Sequence, residues 1–171
     1  FNPTINSYKR INAPVTDSGA TWSPNTITYS GNNRTHMIRV PGSGRFELRL
    51  MDGATNPYLL QAGIIAAGLD GLDKKRNPGK PINVNMYKDA HKVKGAKKLP
   101  LSLNQALNNL NKSTVLKSAF GKDVINSYIT LKNREIKKYN SSKEKRIGFK
   151  KSKSNKSNLI TQWERDNTLD C

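Results

Sequence analysis

Apolar and polar positions alternate strictly over residues 45–50, where Arg45, Glu47 and Arg49 interleave with Phe46, Leu48 and Leu50. A period of two marks a half-buried strand with one apolar and one charged face. Runs at 6–11, 21–30 and 37–40 are further strand candidates, and the 45–50 strand extends to Met51. Pro14, Pro24, Gly31-Asn32 and Pro41-Gly42-Ser43-Gly44 separate them. Gly42 and Gly44 are expected to flank a hairpin turn.

The pattern then changes to helical spacing. Asn56-Pro57 has the form of a helix start, a capping side chain followed by proline in the first turn. The helix that follows, to about Leu69, is apolar on nearly every face and is expected to be central to the core. Residues 73–100 form a long Lys-, Gly- and Pro-punctuated connection. Ser102-x-x-Gln105 resembles a capping box, with Leu103, Ala106, Leu107 and Leu110 following at helical spacing. A short helix is predicted over 114–120, ending at Gly121. Asp123 is expected to cap another, with Val124, Tyr128, Leu131 and Ile136 inward. The fold class read from this order is α+β: antiparallel strands, then a helical C-terminal half.

Charge divides the chain in the same place. Residues 1–72 carry six Lys and Arg against four Asp and Glu, whereas residues 73–171 carry 24 against eight, so nearly all of the net +18 lies in the second part. The stretch 137–156 holds nine Lys and Arg with one acid, and is expected to be a mobile loop or disordered. Domain organisation is therefore read as an ordered unit over 1–139, a Lys/Ser-rich insertion over 140–158 and a tail over 159–171 that includes Trp163. The chain opens at Phe1 without an initiator Met and is expected to be a piece of something longer. Its single cysteine, Cys171, excludes a disulfide framework or a CxxC metal site, and an intracellular location is the default expectation. No apolar run reaches the ~20 residues that span a bilayer, so no membrane partner is expected.

The arginines carry the candidate chemistry. Arg45 and Arg49 flank Glu47 on one strand face, and Arg34 and Arg39 precede them. Several rigidly held guanidiniums around a single carboxylate suit phosphate or carboxylate ligands. The alternative is a surface ion-pair ladder between two strands. A second functional class is a basic nucleic-acid-binding module, given a pI near 10.2. Against it, the lysines lack interleaved aromatics and no nucleic-acid-binding motif is present. Weak, salt-sensitive binding to polyanions is all that is expected.

Asn2-Pro3-Thr4-x-Asn6-Ser7-Tyr8-Lys9-Arg10, Asn33-Arg34-Thr35, Arg39-Val40-Pro41, Arg45-Phe46-Glu47-Leu48-Arg49 and Ala54-x-Asn56-Pro57-Tyr58 occur in order. Together they resemble the C-terminal portion of the glutamine synthetase catalytic domain. The wording around Arg34–Leu50 and the ending Thr161-Gln162-Trp163-Glu164-Arg165-Asp166 are most similar to the type III branch, which also contains γ-glutamylmethylamide synthetases. The resemblance implies an ATP-dependent carbon–nitrogen ligase acting on glutamate and on ammonia or a small amine, through a γ-glutamyl phosphate. It implies Mg²⁺ or Mn²⁺, a homo-oligomeric ring and a cytoplasmic setting. By the same resemblance Arg10 and Arg49 bind the glutamate substrate, and Arg34 and Arg39 act catalytically on the transferred phosphoryl group. Arg34, Arg39 and Arg45 bind ATP, and Glu47 ligates the metal.

Three departures from the family pattern shape the expectation. The family's other metal carboxylates and its metal histidine lie upstream of the matched motifs; His36 and His91 occupy neither position, so the 171 residues alone are expected to be inactive. Asn12 stands before Ala13-Pro14 where common type I enzymes have a flap glutamate, which bears on amine choice; Asp17 is the candidate substitute, or a turn residue before Ser18-Gly19. Tyr87 falls near a tyrosine that some type I enzymes modify, but its neighbours differ and a packed or half-exposed tyrosine is expected.

Overall fold

Residues 6–11 form a helix rather than the expected strand. In the computed structural model, which describes residues 1–12, 15–16, 19–20, 22–142 and 161–168, helix α1 spans Ile5–Asn12. Only the backbone is described at positions 10, 12, 15, 16, 19, 20 and 168. Two features override the local alternation. The Ser7 amide donates to Thr4 Oγ1 at 3.1 Å and the Thr4 amide donates to Ser7 Oγ at 3.2 Å, a reciprocal cap built on Ser in place of the usual Glu. Ile5, Tyr8 and Ile11, which a strand would divide between its two faces, share one helical side, and Tyr8 and Ile11 are buried. Glu135 Oε1 accepts from the Ile5 amide at 3.3 Å, placing a carboxylate at the helix N-terminus.

The strands that follow are short. β1 (Val15–Thr16) and β2 (Gly19–Ala20) pair antiparallel. β3 (Tyr29–Ser30), β4 (Ile38–Gly42) and β5 (Arg45–Leu48) make a sheet in that order. β4 and β5 are antiparallel as the pattern predicts, but β3 joins β4 in parallel. Of the predicted 21–30 strand only two residues pair as a strand. Pro24 lacks a ladder donor, and Trp22 sits at φ +53°, a left-handed conformation that breaks extended chain. The hairpin turn closes on Gly44 at φ +78°, which a side chain would strain.

α2 (Pro57–Asp73) starts where Asn56-Pro57 predicts: Asn56 Oδ1 accepts from the Tyr58 and Leu59 amides at 3.0 and 3.1 Å. It runs four residues beyond Leu69, and none of its residues is buried. The expectation of a core helix is therefore reversed among the described residues. The core lies between α1 and α3 (Leu103–Lys112), where Tyr8, Ile11, Leu103 and Leu107 meet. Ser102 caps α3 as predicted, accepting from the Gln105 amide at 3.2 Å. α4 (Thr114–Phe120) ends at Gly121, φ +83°. α5 (Lys122–Ser141) takes Gly121, not Asp123, at its N-cap position. Its inward face is Ile125, Tyr128, Ile129 and Ile136; Val124 and Leu131 are exposed because they fall about 100° around the helix from that stripe.

α5 carries the first residues of the Lys-rich stretch as helix; residues 143–160, with most of that insertion, lie outside the described residues, as does Asp17. α6 (Gln162–Thr168) packs on α1: buried Glu164 accepts from Lys9 Nζ at 2.5 Å, and Trp163 meets Tyr139 edge-on at 5.2 Å. No described helix is long and apolar enough to cross a membrane.

His36 fastens the sheet to the 82–86 segment. Fully buried, it hydrogen-bonds Thr28 Oγ1 through Nδ1 at 2.9 Å and the Val84 carbonyl through Nε2 at 3.0 Å. Desolvation holds its pKa below the ordinary 6.5, against the bond to Val84 that raises it. The folded state therefore keeps a neutral imidazole that the unfolded chain protonates, so this contribution to stability is complete above pH 6.5 and is lost as pH falls below it. Denaturant titrations between pH 7.5 and 5.5 should show stability falling with pH, with a smaller fall in His36→Gln; equal slopes would contradict this role for His36.

Candidate functional site

The β4–β5 register builds the centre of the site. Arg39 lies opposite Glu47 across the ladder, and Arg49 stands two residues beyond Glu47 on the same side. Arg39 Nη1 donates to Glu47 Oε2 at 2.7 Å, while Arg49 Nη1 donates to Oε1. One carboxylate thus holds two guanidiniums, one with each oxygen. The Arg39 hydrogen bond is the largest cause holding the Glu47 pKa below the usual carboxylate range, and the charge of Arg49 adds to it. Arg39 also donates from Nε to Asn32 Oδ1 at 2.9 Å. Arg49 donates from Nε to the Arg34 carbonyl and from Nη2 to the Trp22 carbonyl, both at 3.2 Å.

These bonds fix both guanidiniums before any ligand arrives. Arg34 and Arg45 are exposed and make no ion pair among the described residues. Two guanidiniums share the Glu47 carboxylate while Arg34 and Arg45 stand nearby in sequence and strand without an ion pair among the described residues, so the cluster retains an excess of positive charge. It borders a polar cleft of about 540 Å³ lined by Trp22, Asn32, Arg34, Arg39, Asn83 and Asn85, among others. A cleft of this chemistry favours an oxygen-rich anion.

The cleft wall joins two distant segments. Asn33 Nδ2 donates to the Val84 carbonyl at 3.0 Å, its Oδ1 accepts from Thr35, and Thr35 Oγ1 accepts from the Met86 amide at 2.9 Å. Sequence reasoning missed Asn83, Asn85 and Trp22. Their signal was the pair of Asn-rich stretches, but nothing in the spacing told that 32–35 and 83–86 meet. Tyr87 is packed as expected, its hydroxyl donating to the Ser23 carbonyl at 3.1 Å and its ring 6.2 Å from Trp22.

The structure brings Arg34, Arg39, Glu47 and Arg49 together and sets Arg45 at the hairpin end of the same strand. Arg10 lies in the last turn of α1, with its side chain outside the described residues. Among the described residues no group of three or more His, Cys, Asp or Glu converges to hold a metal ion. Both Glu47 oxygens already serve arginines. A divalent cation needs about six oxygen donors, so this set does not fit one by itself.

The chain matches the family model for the glutamine synthetase catalytic domain over residues 1–148. It is 54% identical over 169 residues to a glutamine synthetase of Rhizobium leguminosarum bv. phaseoli, covering 99% of this chain and 35% of that protein. A glutamate–methylamine ligase of Methyloversatilis universalis is 46% identical over 140 residues, covering 80% of this chain and 31% of that one. Among solved structures, a GmaS/ADP complex superposes with a TM-score of 0.75 at 49% identity, over 99% of this chain and 35% of its own. The chain spans about a third of the length of the curated relatives it matches. With the β4–β5 arginine cluster in the α+β setting these relatives share, the chain belongs to the glutamine synthetase catalytic-domain family.

Proposed function

We propose that these residues supply the arginine part of the active site of an ATP-dependent glutamate–ammonia ligase. In this reading ATP phosphorylates the glutamate side-chain carboxylate, and ammonia displaces phosphate to give glutamine. The observation that carries it is the pair Arg39 and Arg49 locked on Glu47 beside the Arg34-lined polar cleft. Phosphoryl transfer depends on positioning and charge neutralisation, which prearranged guanidiniums provide without reorganising during the reaction.

Roles divide along the cluster. Arg34 and Arg39 neutralise the ATP phosphates and the phosphoryl group in transfer, with Arg45 on the nucleotide side. Arg49 and Arg10 hold the carboxylates of glutamate. Glu47 orients Arg39 and Arg49, and would hold Mg²⁺ or Mn²⁺ only together with ligands beyond the described residues. The whole enzyme is a homo-oligomeric ring in the cytoplasm.

A second reading, a glutamate–methylamine ligase, draws on the 46% identity to a protein of that name and on Asn12 in place of the flap glutamate, a position that bears on amine choice. The two are separated by comparing ammonia with methylamine as acceptor in an active enzyme containing this sequence. The first reading predicts the larger kcat/KM with ammonia, and a preference for methylamine selects the second.

The 171-residue chain alone should form no amide from ATP, glutamate and ammonia, because the acids among its described residues do not converge on a metal site; ATP- and glutamate-dependent turnover by the purified chain would contradict that. In an active enzyme containing this sequence, Arg39→Ala should lower kcat by about 10²–10³, the loss typical of one charge-stabilising donor. An unchanged kcat would remove Arg39 from the reaction.

A further inference from the structure

Arg39 is gripped from two directions, and only one of the two partners is charged. Glu47 Oε2 accepts from Nη1 at 2.7 Å, while Asn32 Oδ1 accepts from Nε at 2.9 Å and from Nη2 at 2.5 Å. A guanidinium has five N–H donors and no acceptor, so these bonds leave one N–H on Nη1 and one on Nη2. Because one oxygen takes both Nε and Nη2, the free Nη2 hydrogen lies on the Nη1 side. Backbone bonds hold Asn32 in this place. The Gly31 carbonyl accepts from the Val40 amide at 3.1 Å, which ties the turn to β4 beside Arg39. The next residue, Asn33, is fastened to the Val84 carbonyl through Nδ2. A side chain on so fixed a turn meets Arg39 without ordering a loop.

We propose that Asn32 is a positioning residue for Arg39: a neutral clamp that closes the side edge of the guanidinium and reserves its terminal nitrogens for an oxyanion in the cleft. The inference deepens the proposed ligase reading and rests on it for the reaction, where that oxyanion is a phosphoryl group. The Nε–Nη2 edge is itself a fork that binds carboxylate or phosphate. Left open, it would give an anion a second way to hold Arg39, in a different place. Neutrality matters as much as geometry. Glu47 is already shared between Arg39 and Arg49, so an acid in place of Asn32 would bracket Arg39 with carboxylates. One unit of the positive charge that attracts the anion would be cancelled at the point of contact. Asparagine supplies the acceptor without that loss.

Two substitutions separate orientation from charge. Asn32→Asp keeps an acceptor of the same size but adds a negative charge, and Asn32→Ala removes the acceptor. Asn32 is exposed, so far-UV circular dichroism of both variants should match the parent. Nitrogen-15 NMR of the 171-residue chain reads the Arg39 Nε–H, with exposed Arg45, which makes no ion pair among the described residues, as reference. The expected result is a slowly exchanging Nε–H in the parent and in Asn32→Asp, and exchange at the Arg45 rate in Asn32→Ala. Calorimetric titration with inorganic triphosphate should show affinity lowered about tenfold by Asn32→Asp and about threefold by Asn32→Ala. A turn residue with no part in the site would tolerate aspartate, which suits turns as asparagine does. In an active enzyme containing this sequence, Asn32→Asp should lower kcat, with the KM for glutamate changed less than about twofold. The proposal is overturned by parental triphosphate affinity in Asn32→Asp, or by a parental Arg39 Nε–H that exchanges as fast as that of Arg45. Weakened triphosphate binding with an unchanged kcat upholds the positioning role and counts against the proposed reaction instead.

Discussion

The carboxylate of Glu47, held between Arg39 and Arg49, is the interaction on which the site depends. It arises from register. Because Arg39 opposes Glu47 in the β4–β5 ladder, the two meet with no loop rearrangement, and Arg49 follows on the same face. Slipping β5 by one residue would send Glu47 and Arg49 to the apolar side, away from Arg39 on β4, and bring Phe46 and Leu48 to the cleft. The glycine turn at Gly44 and the contact of Ile38 with Leu48 therefore bear on the chemistry as much as the arginines do. The same carboxylate has a double consequence. It prearranges two guanidiniums, and it leaves itself poorly placed to serve as a metal ligand without help.

The second constraint is the joint between residues 32–36 and 82–86. Buried His36, Asn33 and Thr35 each bond across it, so a long irregular connection becomes the wall of the cleft. No regular element provides this wall. Its rigidity comes from buried polar groups that each find a partner, the condition under which such networks hold one arrangement.

Legibility from sequence followed the physical range of each signal. The 45–50 alternation, the Asn56 and Ser102 caps and the Gly121 stop were all readable, since each depends on residues a few positions apart. Residues 6–11 were misread because the Thr4–Ser7 cap uses an unusual residue, and because the helix is fixed by burial against Leu103 and Leu107, about a hundred residues away. α2 was read correctly as apolar and misplaced as buried: hydrophobicity reports what a helix can pack with, not how much of it the described residues cover. Motif order, running from Asn2 to Tyr58, pointed to the family before any geometry. The contribution of Asn83 and Asn85 was invisible, because only tertiary contact joins them to Arg34.

The central claim is that the Arg39–Glu47–Arg49 unit is an anion site and not only a surface ion-pair ladder. Calorimetric titration of the 171-residue chain with inorganic triphosphate tests it most directly, at several salt concentrations and in Arg39→Ala and Arg34→Ala variants. The account predicts saturable binding that weakens with salt and falls at least about tenfold in each variant. Binding that is absent, or that persists unchanged in both variants, would show the ladder to be structural and contradict the account.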